Sequence, residues 1–108
     1  MTAIEVPHYI STFDLEQARL GQAIQHLKIK LNELPKDDLQ KKYLHILEND
    51  HFLKAIQIIL RNESLNAEWA IKKSVDEMIL LFEHQANMYR EIGLILINIL
   101  LKKQVIYL

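Results

Sequence analysis

The chain has 108 residues, enough for one domain with a single hydrophobic core and too few for two. Half of the residues are apolar and only two are glycine and two proline, which predicts a folded, helical protein. A net charge of −1 argues against nucleic acid as a partner, and the absence of cysteine excludes disulfide bonds and thiolate metal sites. The first residues show no basic stretch followed by an apolar one, so we expect no signal peptide. The longest nearly continuous apolar run, residues 92–101, is about half the length that spans a membrane. We therefore expect a cytoplasmic protein with no membrane partner.

The chain begins with an expected lead-in and a long first helix. Residues 1–11 lack a helical period and contain Pro7, so we expect them to be extended. Ser11 or Thr12 is a suitable cap for the first helix, which Pro35 ends. The apolar positions of this helix recur at spacings of three, four and seven: Phe13, Leu20, Ile24, Leu27, Leu31 and Leu34.

Two shorter helices follow. Asp37 or Asp38 begins the second helix, which we expect to end at the polar residues 48–50. The third helix closes at the polar run 61–64 and has an apolar face made of Phe52, Ala55, Ile56, Ile59 and Leu60.

The segment with the most consistent helical signals is residues 65–83, LNAEWAIKKSVDEMILLFE. We expect the Asn66 side chain to cap this helix and Glu68 to favour its dipole. Lys73 and Glu77 are four residues apart and are expected to pair. The apolar face consists of Ile71, Val75, Met78, Ile79 and Phe82.

The last helix is expected over residues 88–103 and is apolar nearly all round. Such a helix is buried on several sides or covered by another surface, so we expect residues 93–108 to bind a second copy of the chain. The fold predicted for residues 12–108 is all-α, a single antiparallel bundle of two long and two to three shorter helices.

The histidines do not indicate a metal or catalytic site. Glu48 and His51 have the spacing used in di-iron bundles, but the only other such pair, Glu5 and His8, is interrupted by Pro7. No nucleophile with a placed base and no glycine-rich phosphate loop is present in the sequence. We therefore expect no catalytic residue, no metal and no cofactor.

Three apolar residues have two interpretations. Ile46, Phe52 and Phe82 lie near expected helix ends or charged neighbours. They could form an apolar patch with a polar rim, which is the usual composition of a docking surface, or they could be core residues.

Two stretches carry a resemblance to a known family. Residues 65–82 and LHILENDHF at residues 44–52 resemble the helical domain of Enzyme I of the bacterial phosphoenolpyruvate-dependent sugar phosphotransferase system, and LNAEWA at residues 65–70 is the most specific part. In that family a leucine-rich L-L-E-D-P-E-L-like stretch precedes a helix opened by L-N-A-E-W-A or a close variant. The similarity extends less specifically to the first helix and to residues 87–91.

The resemblance implies a domain that docks HPr, the small histidine phosphocarrier, and that is inserted in a phosphohistidine domain. AIEVPHY at residues 3–9 is similar to the connection out of that second domain. The resemblance places the partner-binding residues at Ile46, Asp50, His51, Phe52, Met78 and Phe82.

The chain also departs from the family. None of its five histidines has the Gly-Gly-x-x-Ser-His-like setting of the phosphorylated residue, so no transfer chemistry is carried over. His51 stands where the family is often acidic, and with Lys41 and Lys42 it predicts an altered preference for the carrier. The last helix of the family usually reads D-I-R-D-I or similar. The corresponding residues 94–99 of this chain lack both acidic positions, as expected of a truncated or divergent copy. The alternative function, a self-associating structural module, would use this last helix.

Overall fold

The computed structural model describes residues 6–106, with side chains over residues 6–102. Within that range the chain forms five α-helices, no β-strand and one turn of 3₁₀ helix, so the all-α prediction is confirmed. The helices, in chain order, are α1 (Phe13–Asn32), α2 (Asp38–Glu48), α3 (Asp50–Glu63), α4 (Ala67–Leu81) and α5 (Ala86–Ile106), with the 3₁₀ turn at Glu83–Gln85 before α5.

The ends of α1, α2 and α3 follow from local sequence signals. α1 ends ahead of Pro35, and α2 begins after Asp37, whose Oδ1 accepts a hydrogen bond from the amide of Gln40 at 2.9 Å. Asn49 ends α2 and also begins α3, since its side chain accepts from the amide of His51 at 2.8 Å. α3 ends at Ser64, whose φ of 51° is left-handed.

The hydrophobic core lies where α4 and α5 pack together and against α1, α2 and α3. Gly93 of α5 permits a close approach to α4, because a Cβ at this position would lie 2.6 Å from Cγ2 of Val75. Phe52 of α3 meets Tyr89 of α5 edge to face, with the ring centroids 5.5 Å apart. The first contact joins two consecutive helices, and the second joins helices that have α4 between them in the sequence.

The segment before α1 runs along the turn between α3 and α4. Ile10 and Leu65 form an isolated antiparallel bridge, and the amide of Ser11 donates to the carbonyl of Ser64 at 2.8 Å. The amide of Asn66 donates to the carbonyl of Tyr9 at 3.1 Å. The expected extended lead-in includes residues 1–5, and the expected interface over residues 93–108 includes residues 107–108. These positions lie outside the described part of the chain.

The predicted side-chain cap of α4 is wrong. The Asn66 side chain is buried against the segment before α1, where its Oδ1 accepts from the amide of Tyr9 and its Nδ2 donates to the carbonyl of Pro7, each at 2.9 Å. The first amide of α4, at Ala67, is instead satisfied by the carboxylate of Glu16 at 2.6 Å. The cap therefore comes from another helix.

The predicted pair between Lys73 and Glu77 is also wrong. Lys73 Nζ contacts Glu63 Oε1 of α3 at 2.7 Å, because α3 lies beside this face of α4. Helix α4 is also shorter than predicted. It ends at Leu81, because the backbone angles of Phe82, φ −127° and ψ 66°, are not helical.

Candidate docking surface

A groove of about 480 Å³ lies between α3 and α4. Helix α3 contributes Ala55, Ile58 and Ile59 to its walls, and α4 contributes Met78 and Leu81. A polar and charged rim surrounds these apolar walls and consists of His51, Lys54, Glu63, Lys73 and Glu77. An apolar centre with a polar rim is the composition expected of a protein-binding surface.

Two apolar side chains at this groove are exposed to solvent. The exposed fraction is 58% for Ile58 and 69% for Leu81. Leu80, also exposed, lines an adjoining depression with Phe82 and His84 beyond the end of α4. Apolar area concentrated in this way marks an interaction surface more often than scattered single residues do.

Three of the six sequence-predicted residues lie in the core. Ile46, Phe52 and Met78 are at most 3% exposed, so the interpretation of Ile46 and Phe52 as an exposed patch is wrong. The reason is the tight corner at Asn49, which turns the first turn of α3 so that Phe52 packs against Tyr89. Met78 reaches the groove only as part of its base.

The other three predicted residues lie at the surface. Asp50 and His51 are exposed in the first turn of α3, and Phe82 is half-buried at the end of α4. The ring of Phe82 stacks on Tyr89 with centroids 5.9 Å apart and lies 6.2 Å from the ring of His51. The start of α3 and the end of α4 therefore meet at one edge of the groove.

The rim carries charges of both signs. Lys73 and Glu63 form an exposed ion pair across the groove, and such a pair contributes little to stability. Lys54 and Glu77 add one charge of each sign. The surface therefore has no strong field of a single sign.

Other types of site find no support in the described residues. No group of three histidine, aspartate or glutamate side chains there could hold a metal ion. No helix over residues 6–106 is both long and apolar enough to cross a membrane.

Ile58, Leu80 and Leu81 were not among the residues predicted from the sequence. A signal was present for each of them. Residues 58–60 are three consecutive apolar residues, and only some of these fit on one buried helical face. Leu80 and Leu81 lie off the stripe formed by Ile71, Val75 and Met78, so a helix that buries this stripe exposes both leucines.

Comparison with known proteins gives one family match. The family described as PEP-utilising enzyme, N-terminal, matches residues 3–91, which contain α1–α4 and the beginning of α5. No curated protein matches the chain. The match concerns the N-terminal domain of these enzymes and not their catalytic domain. The chain therefore belongs to the family of N-terminal helical domains of phosphoenolpyruvate-utilising enzymes such as Enzyme I.

Proposed function

We propose that this chain is a docking module for an HPr-like histidine phosphocarrier in the cytoplasm, and that it has no transfer activity of its own. The observation that carries the proposal is the exposed apolar groove between α3 and α4, in a chain of this family. Residues 12–108 act as one unit in this proposal, and the segment before α1 connects that unit to the rest of an enzyme.

The contact residues in this proposal are Asp50, His51, Ile58, Leu81 and Phe82. Each is exposed or half-buried at the groove or at its edge. Ile58 and Leu81 supply the apolar centre, and Phe82 is a half-buried aromatic anchor of the type that dominates interface energies. Met78 supports this centre from beneath.

Ile46 and Phe52 contribute to docking only through the fold. Both are buried, and Phe52 fixes the start of α3 against Tyr89 of α5. Substitution of either residue is expected to weaken carrier binding by unfolding the corner that holds Asp50 and His51.

The charges of the rim affect the association rate more than the affinity. Carriers of the HPr type present a basic rim around a central histidine, and this surface offers them His51 and Lys54 beside Asp50 and Glu77. Lys41 and Lys42 on α2 are also exposed. We therefore expect slow, weakly salt-dependent association with a strongly basic carrier.

Calorimetric titration with an HPr carrier tests the docking surface. Ile58→Asp and Leu81→Asp should each weaken binding by about tenfold or more, since each places a charge in the apolar centre. Ile29→Asp is the matched control, because Ile29 is 52% exposed on α1 and outside the groove. Equal affinity for all three variants would remove this surface as the docking site.

Incubation with labelled phosphoenolpyruvate and magnesium tests the absence of transfer activity. We expect no covalent label, because none of the five histidines has the setting of the family's phosphorylated residue. Label retained on any histidine, and lost when that histidine is replaced, would contradict this part of the proposal.

A further inference from the structure

Helix α5 carries a stripe of exposed side chains along one face. Leu94 and Ile95 are 45% and 40% exposed, Asn98 is exposed, and Leu101 is half-buried. These positions recur at spacings of three and four, which places them on a single face of the helix. Exposed Glu91 begins the stripe and exposed Lys102 ends it, about 17 Å further along the helix.

The rest of α5 is used for packing inside the bundle. Helix α5 packs mainly on α4 and α1, and its buried side chains are Tyr89, Ile92, Leu96, Ile97 and Leu100. A helix that packs only on its own bundle normally carries polar residues on the outer face. Leu94, Ile95 and Leu101 therefore form more apolar surface than the bundle itself requires.

We propose that this stripe binds the same stripe of a second copy of the chain, with the two helices antiparallel about a two-fold axis near Asn98. Such an interface is isologous, since each residue meets its counterpart across the axis. Asn98 then faces Asn98 of the second copy, and an amide side chain both donates and accepts. Ile95 of each copy faces Leu101 of the other.

The charges at the two ends of the stripe select the antiparallel arrangement. In that arrangement Glu91 of each copy comes within about one helical turn of Lys102 of the other, so opposite charges meet at both ends. In a parallel arrangement Glu91 would face Glu91 and Lys102 would face Lys102. The distribution of charge is therefore self-complementary only when the helices run in opposite directions.

A groove beside Leu94 extends the apolar area of the stripe. It has a volume of about 260 Å³ and lies between α4 and α5, with Val75, Gly93 and Ile97 at its base. The lining also includes the charged side chains of Lys72, Asp76 and Arg90.

The interface is small and should be weak. A standard interface buries about 800 Å² on each partner, and four side chains with one shallow groove bury less. We therefore expect a dissociation constant on the order of tens of micromolar. The stripe shares no residue with the groove between α3 and α4, so dimerisation and carrier docking fail or succeed independently.

Sedimentation of the full chain over a range from a few to several hundred micromolar tests the dimer. The wild type should pass from monomer to dimer across this range. Leu94→Lys should weaken dimerisation by about tenfold or more, because the two-fold axis places position 94 opposite Lys102 of the second copy. Ile29→Lys, on the exposed side of α1, should leave dimerisation unchanged. A wild type that stays monomeric, or equal effects of both variants, would overturn the proposal.

Two further variants test the axis and the orientation. The chain has no cysteine, so Asn98→Cys introduces a single exposed thiol that mild oxidation should link to its counterpart at the axis. Glu91→Lys should weaken dimerisation, and Lys102→Glu added to it should restore it. Failure of Asn98→Cys to form linked dimers above the dissociation constant would overturn the axis, and failure of the double exchange to restore dimerisation would overturn the antiparallel arrangement. Thermal melts of each variant check that it is folded. This control is needed for Glu91→Lys, because Glu91 also accepts a hydrogen bond from Tyr43 and its replacement removes that bond.

Discussion

Glu16, in the first turn of α1, accepts a hydrogen bond from the backbone amide of Ala67, the first residue of α4. The two residues are 51 positions apart in the sequence. The same carboxylate accepts from Ser11 Oγ and pairs with Arg19, which binds Glu68 through two further hydrogen bonds. Burial alone would lower the pKa of Arg19, but the hydrogen bonding to Glu68 and the charges of Glu68 and Glu16 outweigh burial and raise that pKa. A permanently charged arginine therefore joins two buried carboxylates.

Glu16→Ala should lower the free energy of unfolding by about 3–5 kcal/mol, because it leaves the amide of Ala67 without an acceptor and breaks a buried ionic network. Urea unfolding measures the loss. Glu63→Ala is the control, since it breaks the exposed pair with Lys73 and should cost less than about 1 kcal/mol. Equal losses for the two variants would mean that the network of Glu16 does not stabilise the fold.

The two glycines should respond in opposite directions to alanine. Gly93→Ala should destabilise the chain by about 1–3 kcal/mol, because its Cβ would meet Val75 Cγ2 at 2.6 Å between packed helices. Gly21→Ala should stabilise it by about 0.5–1 kcal/mol, because nothing lies within 4 Å of the added methyl group on α1. Thermal melts of the two variants should shift to opposite sides of the wild type. A stabilised Gly93→Ala would show that α4 and α5 are not closely packed at this point.

The stability contributed by Tyr43 should be lost in strongly alkaline solution. Its hydroxyl donates to Glu91 of α5, and this hydrogen bond, followed by burial and the charge of Glu91, raises the pKa of Tyr43 from 10.0 to about 12. A pKa raised in the folded state stabilises the protein below the unfolded value, here 10.0, and this contribution disappears as the pH rises to about 12.

The melting temperatures of the wild type and of Tyr43→Phe measure this contribution. The wild type should melt higher at neutral pH, and the difference should shrink between pH 10 and about 12. Tyr89, whose pKa is also raised by burial, is present in both proteins and cancels in the comparison. A difference that stays constant over this range would contradict the assigned hydrogen bond.

Phe82 should contribute to both stability and docking. The ring is half-buried and stacks on Tyr89, so Phe82→Ala should cost about half of the 3–5 kcal/mol typical of a fully buried phenylalanine, and the chain should remain folded. The folded variant should bind the carrier about 2 kcal/mol more weakly, as expected of an interface anchor. Leu80→Ala, at an exposed neighbouring position, should leave the melt unchanged. Unchanged carrier binding by folded Phe82→Ala would exclude Phe82 as an anchor.

Local signals were sufficient to predict the five helices of residues 6–106, although not the end of α4. Pro35 and Asp37 mark a stop and a start that depend only on neighbouring residues, and both are found where the sequence predicts them. The cap of α4 by Glu16 and the pair between Lys73 and Glu63 could not be predicted in this way. Each joins two helices, and helical periodicity does not specify which helices become neighbours.

The candidate site was predicted in part for the same reason. The family resemblance placed Asp50, His51 and Phe82 in positions that the fold leaves at the surface. It also placed Ile46 and Phe52 there, although the corner between α2 and α3 turns both side chains into the core. The direction of a side chain at such a corner depends on how the two helices pack, which the motif alone does not encode.

An NMR titration of the labelled chain with an HPr carrier tests whether the groove between α3 and α4 binds the carrier. We expect chemical-shift changes at Asp50, His51, Ile58, Leu81 and Phe82, which lie at or near this groove. The exposed residues of α1, including Ile29, should not respond. No change at high micromolar carrier, or changes confined to residues outside this groove, would show that the groove does not bind the carrier.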